Sequence, residues 1–438
     1  MKSNPLALLP FLVFAVFYVG LSAAAGGFYS VPMPAAFAVA SASAFLIVRK
    51  GGFSGKVETF ARGMGHPDIM TMALIFILAG AFTSVAKATG GVGAAVTIAQ
   101  SLMPAKLMLA GLFLVSCIVS LALGTSCGTI AALTPIALGF VPATGVDAVV
   151  PVGAVVGGAM FGDNLSLISD TTVAATRTQG IAMRGKFLAN IKIAAPAAAA
   201  TLLLYAFLGR SAPDAPAAVA AGWREAVLFT PYVLILALAL AGVNVMVLLF
   251  AGTVLSAALG VAFGEFTCIE AVGCAGRGML GMSETLIVAM LAGGLFAVIR
   301  EAGGIAALVN AAGRVMRGPR SCQAGISFLT AAVNAFTANN TVAIVIAGPV
   351  AKECAVKRGV SPARTAALLD TVSCIVQGVI PYGAQMLLAL GAAHTAGTPV
   401  GGLSLIGRMY YPAILSVAVA VAIALPESVR AKSGRDMI

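Results

Sequence analysis

The chain has 438 residues, 60% of them hydrophobic and 9% charged, with 50 glycines and a mean hydropathy of +1.03. Soluble domains carry about 25% charged residues, so a water-soluble enzyme is excluded and a protein that crosses a bilayer many times is expected. The net charge of +11 is scattered between apolar runs, a pattern that sets membrane orientation and builds no nucleic-acid patch.

Runs long enough to span a bilayer, about 20 residues each, lie at 6–25, 31–48, 69–89, 187–209, 227–242, 244–264, 284–301 and 407–425. The first has Lys2 ahead and Ala23-Ala24-Ala25 behind, as a signal peptide would. It is kept as a span because the repeat described next includes it. Residues 105–141 and 321–352 are apolar for 37 and 32 residues, too long for one helix. Polar groups interrupt them at Gly124 to Thr129 and at Thr337 to Thr341. Two further runs, 150–176 and 363–391, have single-span length but are broken, from Gly162 to Asp170 and from Gln377 to Pro381.

The chain repeats itself. Leu78, Ala79, Gly80, Val85, Gly90 and Gly91 recur at a constant offset as Leu291, Ala292, Gly293, Val298, Gly303 and Gly304. Downstream, Asp163 and Ser166 are matched to Asp370 and Ser373. This divides the chain into a first membrane repeat, 1–212, a linker, 213–226, and a second repeat, 227–438. Internal repeats of this size are a feature of secondary transporters.

Charge sets the topology. If both long stretches return to the side they entered and the amino terminus is cytoplasmic, 18 Lys and Arg fall inside and 6 outside, as cytoplasmic loops require. The inside set includes Arg49 to Arg62, Arg177 to Lys186, and Lys352 to Arg364. The expected fold is an all-α polytopic membrane protein of two inverted repeats. Each repeat has five transmembrane helices plus a re-entrant hairpin, with broken helices at the midplane. Both termini are cytoplasmic. Non-helical backbone at membrane depth survives only where it lines a cavity or is buried in protein, so the breaks are expected to converge.

Asp163 and Asp170 carry the sharpest chemical signal, because charges inside a spanning segment are costly and tend to be functional. Asn164, Ser166, Ser169, Thr171 and Thr172 surround them with neutral oxygens, which hard cations prefer. Asp370 stands beside Thr371 and Ser373. These three aspartates are the candidate Na⁺ ligands. The hairpin tips add Thr125, Ser126 and Thr129, and Thr337, Asn339, Asn340 and Thr341, which offer hydroxyls, amides and helix ends to an ion or a carboxylate. The bland readings are helix capping for the aspartates and interhelical hydrogen bonding for Ser and Thr.

Lys192 is read as snorkelling or as pairing with a core Asp, Glu301 beside Arg300 as an interfacial pair, and His66 and His394 as loop residues. Seven cysteines, an odd number without a Cys-x-x-Cys, make neither a disulfide framework nor a zinc site. No phosphate-binding loop and no Ser-His-Asp set is present, so neither ATP-driven transport nor hydrolytic chemistry is expected, and no cofactor.

Gly124-Thr125-Ser126-x-Gly128-Thr129, followed by Gly162-Asp163-x-x-Ser166-x-Ile168-Ser169-Asp170-Thr171-Thr172, resembles the NhaC family of Na⁺/H⁺ antiporters along nearly the whole chain. The hairpin architecture is similar to the wider ion transporter superfamily, whose hairpin-tip Ser-Asn-Thr motifs help bind Na⁺ and substrate. The resemblance implies a bacterial inner-membrane antiporter exchanging Na⁺ and H⁺ at an intramembrane aspartate. Burial favours the protonated carboxyl and a bound cation favours the carboxylate, so one site serves both ions. Where many NhaC-like proteins have His-Cys-Ser-Pro after the first Asp, this chain has Asn164-Leu165-Ser166-Leu167, which removes an imidazole from beside the site. The alternative is Na⁺- or H⁺-coupled transport of a small carboxylate or amino acid. Lipid is the other partner, nucleic acid is not, and a homodimer is left open.

Overall fold

The computed structural model describes residues 3–24, 32–48, 52–102, 104–167, 169–211, 221–241 and 243–425. Most of the linker assigned to 213–226, and Ile168 of the second motif, lie outside the described residues. The described residues fold into helices joined by short turns. The first half contains α1 (Leu9–Ala24), α2 (Met33–Ile47), α3 (Phe53–Met64), α4 (Pro67–Ala88) and α5 (Gly91–Leu102). It continues with α6 (Ala105–Leu123), α7 (Ser126–Thr144), α8 (Val149–Leu165), α9 (Asp170–Gln179) and α10 (Met183–Leu208). The second half opens with α11 (Trp223–Leu240), α12 (Val245–Ala262), α13 (Cys268–Gly281), α14 (Ser283–Glu301) and α15 (Gly304–Val315). Then come α16 (Pro319–Thr337), α17 (Asn340–Arg358), α18 (Pro362–Val379), α19 (Ala384–Thr395), the short α20 (Gly402–Ile406) and α21 (Tyr410–Ala424).

Seven helical segments are long and apolar enough to cross a membrane, and α1, α2, α7, α15 and α21 include shorter apolar stretches. The 37-residue apolar run becomes α6 and α7, and the 32-residue run becomes most of α16 and α17. Each pair packs side by side, so the chain doubles back in both places. The reversals need a left-handed residue. Gly124 takes it at φ +65°, and Ala338 takes it at φ +50° as the one non-glycine with positive φ among the described residues. An alanine there costs steric strain that the surrounding contacts must offset.

Helix boundaries recur at one spacing. Leu123 and Thr337, Gly145 and Gly359, Leu165 and Val379, and Asp170 and Ala384 end, follow or begin matching helices 214 positions apart. At that spacing Asp163 stands opposite Gln377. The sequence match of Asp163 to Asp370 departs from that spacing by seven residues, so the helix ends and the two Asp-x-x-Ser strings give different alignments of the halves.

Contacts between the halves are also paired: α3 packs on α14 and α13 on α4, while α2 packs on α14 and α12 on α4. Burial is concentric. Nearly every described residue of α8 is buried, whereas most of α10 and α12 lies open. The open faces are apolar, for example Leu203 and Phe207 on α10 and Phe250 and Val254 on α12, as faces turned to lipid are. The second hairpin is braced from α1 and α2, where Phe11 meets Phe336 at 4.6 Å and Phe14 and Phe37 meet Tyr382 edge-on. The Tyr382 hydroxyl donates to the Ala335 carbonyl at 2.6 Å.

Candidate functional site

Two buried aspartates and one buried lysine are the charged side chains of the core among the described residues. Asp163 lies two residues before the end of α8, which Ser166 closes, and α9 begins at Asp170 behind its cap Ser169. Its carboxylate accepts from the Ser126 hydroxyl at 2.7 Å, so the tip of the first hairpin meets the broken segment. Ser126 in turn accepts from the Gln385 amide at 2.9 Å. Gln377 donates to the Gln385 side-chain oxygen at 2.8 Å and to the carbonyl of Ala338 at 2.9 Å. A run of oriented hydrogen bonds thus links the strained tip of the second hairpin to Asp163. The Gln377 side-chain oxygen and the Asn334 side-chain oxygen are buried without a partner among the described residues.

Asp370 is placed differently. It is fully buried in α18 and ion-paired with Lys186 of α10. The same ammonium donates to the Thr172 hydroxyl at 2.8 Å and to the carbonyl of Asn164. Thr172 donates to the Ser166 carbonyl at 2.7 Å. Asn190 donates to both the carbonyl and the side-chain oxygen of Asn164, at 2.8 and 2.7 Å, and accepts from Thr371 at 2.5 Å. Ser169 caps α9 and donates to the Asp163 carbonyl at 2.9 Å. The unwound segment is therefore held from α9, α10 and α18 at once, and Asn164 joins the two aspartate environments.

The remaining sequence candidates divide. Asp170 is exposed in the first turn of α9, where the helix dipole favours a carboxylate, and it is not brought into the core with the other two. Thr125 is half-buried at the N-cap of α7, and Thr129 bonds back to its carbonyl at 3.2 Å. Asn339 caps α17 by accepting from Val342 N–H at 3.0 Å, and Thr337 donates to the Asn339 carbonyl at 3.0 Å. Asn340 accepts from the Thr341 N–H at 3.1 Å, while its NH₂ is buried without a partner among the described residues. The Ser373 hydroxyl donates to the Asp370 carbonyl at 2.9 Å. A cavity of about 530 Å³ reaches Thr337 and Asn339 and is lined also by Arg62, His66, Arg300 and Glu301.

Sequence reasoning missed Lys186, Asn190 and Gln385, and named Gln377 only as a helix break. In the sequence Lys186 groups with the cytoplasmic basic cluster, yet it is 1% exposed, while Lys192, read as snorkelling or as pairing with a core Asp, is exposed. Gln385 had one available signal, as the lone amide in the apolar run that opens α19.

The sequence profile of the Na⁺/H⁺ antiporter family matches residues 6–210 and 234–425. The chain is 28% identical over 365 residues to the Na⁺/H⁺ antiporter NhaC of Bacillus subtilis, covering 75% of this chain and 79% of that one. It is 28% identical over 184 residues to the malate-2H⁺/Na⁺-lactate antiporter of the same organism, covering 42% and 39%. Among solved structures, the YdaH transporter of Alcanivorax borkumensis is similar over 85% of this chain and 87% of that chain, at 18% identity and a TM-score of 0.38. With nearly the whole length matched, the chain belongs to the Na⁺/H⁺ antiporter family.

Proposed function

We propose that the chain exchanges Na⁺ for H⁺ across a bacterial inner membrane by competition of the two ions at Asp163. The observation that carries this reading is an imbalance of charge: of the two buried carboxylates, Asp370 has an ammonium partner and Asp163 has a hydroxyl. Burying an ion without compensation is costly, so Asp163 calls for a cation or a proton. Na⁺ bound there takes the carboxylate and the Ser126 hydroxyl as ligands, and a proton arriving on the carboxyl removes the charge that holds it. The chain acts as a carrier and not as an enzyme.

The halves 1–212 and 227–438 form inverted repeats, each with five crossings and a hairpin, and both termini are cytoplasmic. The common spacing of helix ends and the paired contacts of α3 with α14 and α13 with α4 support this arrangement, as does the excess of basic residues on one side. Alternating access then follows from rocking one half against the other about the site. The cavity beside Arg62, His66 and Arg300 opens on the cytoplasmic side in this topology.

A second reading, coupled transport of a small carboxylate or amino acid, is favoured by the size of that cavity, which far exceeds an ion and offers Arg62, Arg300 and Asn339 to a carboxylate. Proteoliposomes loaded with a pH-sensitive dye separate the two. Antiport gives a pH change on addition of Na⁺ alone. A pH change that requires an organic acid or amino acid as well would replace the first reading by the second.

A further inference from the structure

Lys186 is the one buried ammonium among the described residues, and it is held by three kinds of oxygen: the Asp370 carboxylate, the Thr172 hydroxyl and the Asn164 carbonyl. Its three N–H donors are thereby all used. The same set, one carboxylate with neutral hydroxyl and carbonyl oxygens, is what a dehydrated hard monovalent cation takes. The oxygens are also fixed independently of the lysine. Thr172 is oriented by its bond to the Ser166 carbonyl at 2.7 Å, and the Asn164 carbonyl also accepts from Asn190 at 2.8 Å.

From this we propose that the Lys186 ammonium fills a second monovalent-cation site, so that the protein has two such sites and keeps one occupied by its own side chain. Removing the ammonium turns Asp370, Thr172 and Asn164 into a Na⁺ site. This reading concerns a place distinct from Asp163, and it stands or falls independently of the transport role assigned there. It also gives Lys186 a function beyond neutralising charge: by occupying the site, it leaves Asp163 as the core carboxylate open to a transported cation.

The test uses the full-length protein purified in detergent, with thermal midpoints and retained radioactive sodium measured in NaCl and in choline chloride. The variants are Asp163→Asn, Lys186→Ala, the double variant, and the double variant with Asp370→Asn added. The double variant Lys186→Ala/Asp163→Asn is expected to bind Na⁺ and to melt higher in NaCl than in choline, and the triple variant to lose both responses. An unchanged midpoint and no retained sodium in the double variant overturn the proposal. If Lys186→Ala does not fold in choline, recovery by Na⁺ supports the proposal. Recovery by Asp370→Asn but not by Na⁺ shows a plain structural ion pair and overturns it, as does recovery by neither. A wild-type Na⁺ response that persists unchanged in Asp163→Asn would instead count against the Asp163 reading alone.

Discussion

Gly80 of α4 and Gly278 of α13 meet backbone to backbone: a Cβ built on either would stand 2.2 Å from the other's carbonyl oxygen. The contact has a counterpart in Gly63 of α3 and Gly293 of α14, where a Cβ on Gly63 would stand 2.5 Å from the Gly293 carbonyl oxygen. In both places an amphipathic helix of one half lies on a spanning helix of the other, and small residues allow the approach. These crossings tie the halves together.

Replacing Gly278 by Leu should therefore destabilise the protein by at least the 1–3 kcal/mol typical of overpacking, because the obstructing atom is backbone and cannot move aside. Gly276→Ala on the same helix meets open space and serves as the control. Thermal melting in detergent and the yield of monodisperse protein read the difference, and equal melting of the two variants would remove the crossing from its assigned role.

Gln385→Leu should weaken apparent Na⁺ affinity with the protein still inserted. The change keeps volume but removes the donor to Ser126 and the acceptor of Gln377. Leaving a buried polar partner unsatisfied costs about 1–3 kcal/mol, or roughly 5- to 150-fold in affinity. Proteoliposome titrations with Na⁺ measure it, and an unchanged half-saturation would show that the amide run does not support the site.

That run also shows why part of the site was hidden in the sequence. Asp163 and Ser126 were legible because a charge and a polar tip stand out in apolar segments. Gln385 carries no charge and interrupts nothing, so only the fold reveals that it faces the first hairpin. Lys186 was obscured by position: it follows Arg184 just before an apolar run, where a lysine ordinarily marks a membrane boundary, yet α10 starts early enough to draw it into the core. The long apolar helices followed from run length, and the return of the two longest runs from the distribution of Lys and Arg, whereas the short helices α3, α5, α13 and α15 left no apolar run long enough to be read. The common spacing of helix ends was not legible in this way, since it is marked by left-handed turns such as Gly145 and Gly359, which are lost among 50 glycines.

At the second hairpin, the two asparagines should behave differently. Asn339→Asp preserves the cap on α17, since Asp caps as well as Asn, whereas Asn339→Ala costs about 0.5–2 kcal/mol of stability. Asn340→Ala removes a buried NH₂ that has no partner among the described residues and one local bond from the Thr341 N–H, so it should lower affinity for Na⁺ or for an organic solute and cost less stability than Asn339→Ala. Melting and transport measured on the same preparations distinguish them. Unaltered transport affinity in Asn340→Ala would return that residue to helix packing.

Orientation is testable with the exposed native Cys268 as an internal reference. In the proposed topology α13 lies on the outer face, so Cys268 should react with an impermeant maleimide in intact cells. Arg184→Cys and Lys357→Cys, both at exposed positions, should react only after the cytoplasmic face is opened. Labelling of Cys268 and Arg184→Cys from the same side would break the inverted arrangement.

The two core aspartates should fail in different ways. Asp163→Asn keeps the size and an oxygen to accept from Ser126 but deletes the charge and the exchangeable proton. The protein should insert and melt normally, and Na⁺-driven pH change in proteoliposomes should be abolished, because nothing then offsets dehydration of the ion. Were Asp163 only a helix-end hydrogen-bond acceptor, Asn would serve almost as well and transport would persist at matched expression. Asp370→Asn instead strands the Lys186 ammonium in the core. Breaking a buried pair from one side costs about 3–5 kcal/mol, so this variant should lose stability and yield before transport is even assayed. Adding Lys186→Met should restore folding, since a pair replaced by neutral side chains of similar volume is often tolerated. A well-folded Asp370→Asn with normal antiport, or an Asp163→Asn that transports like wild type, would each contradict the division of labour argued for these two carboxylates.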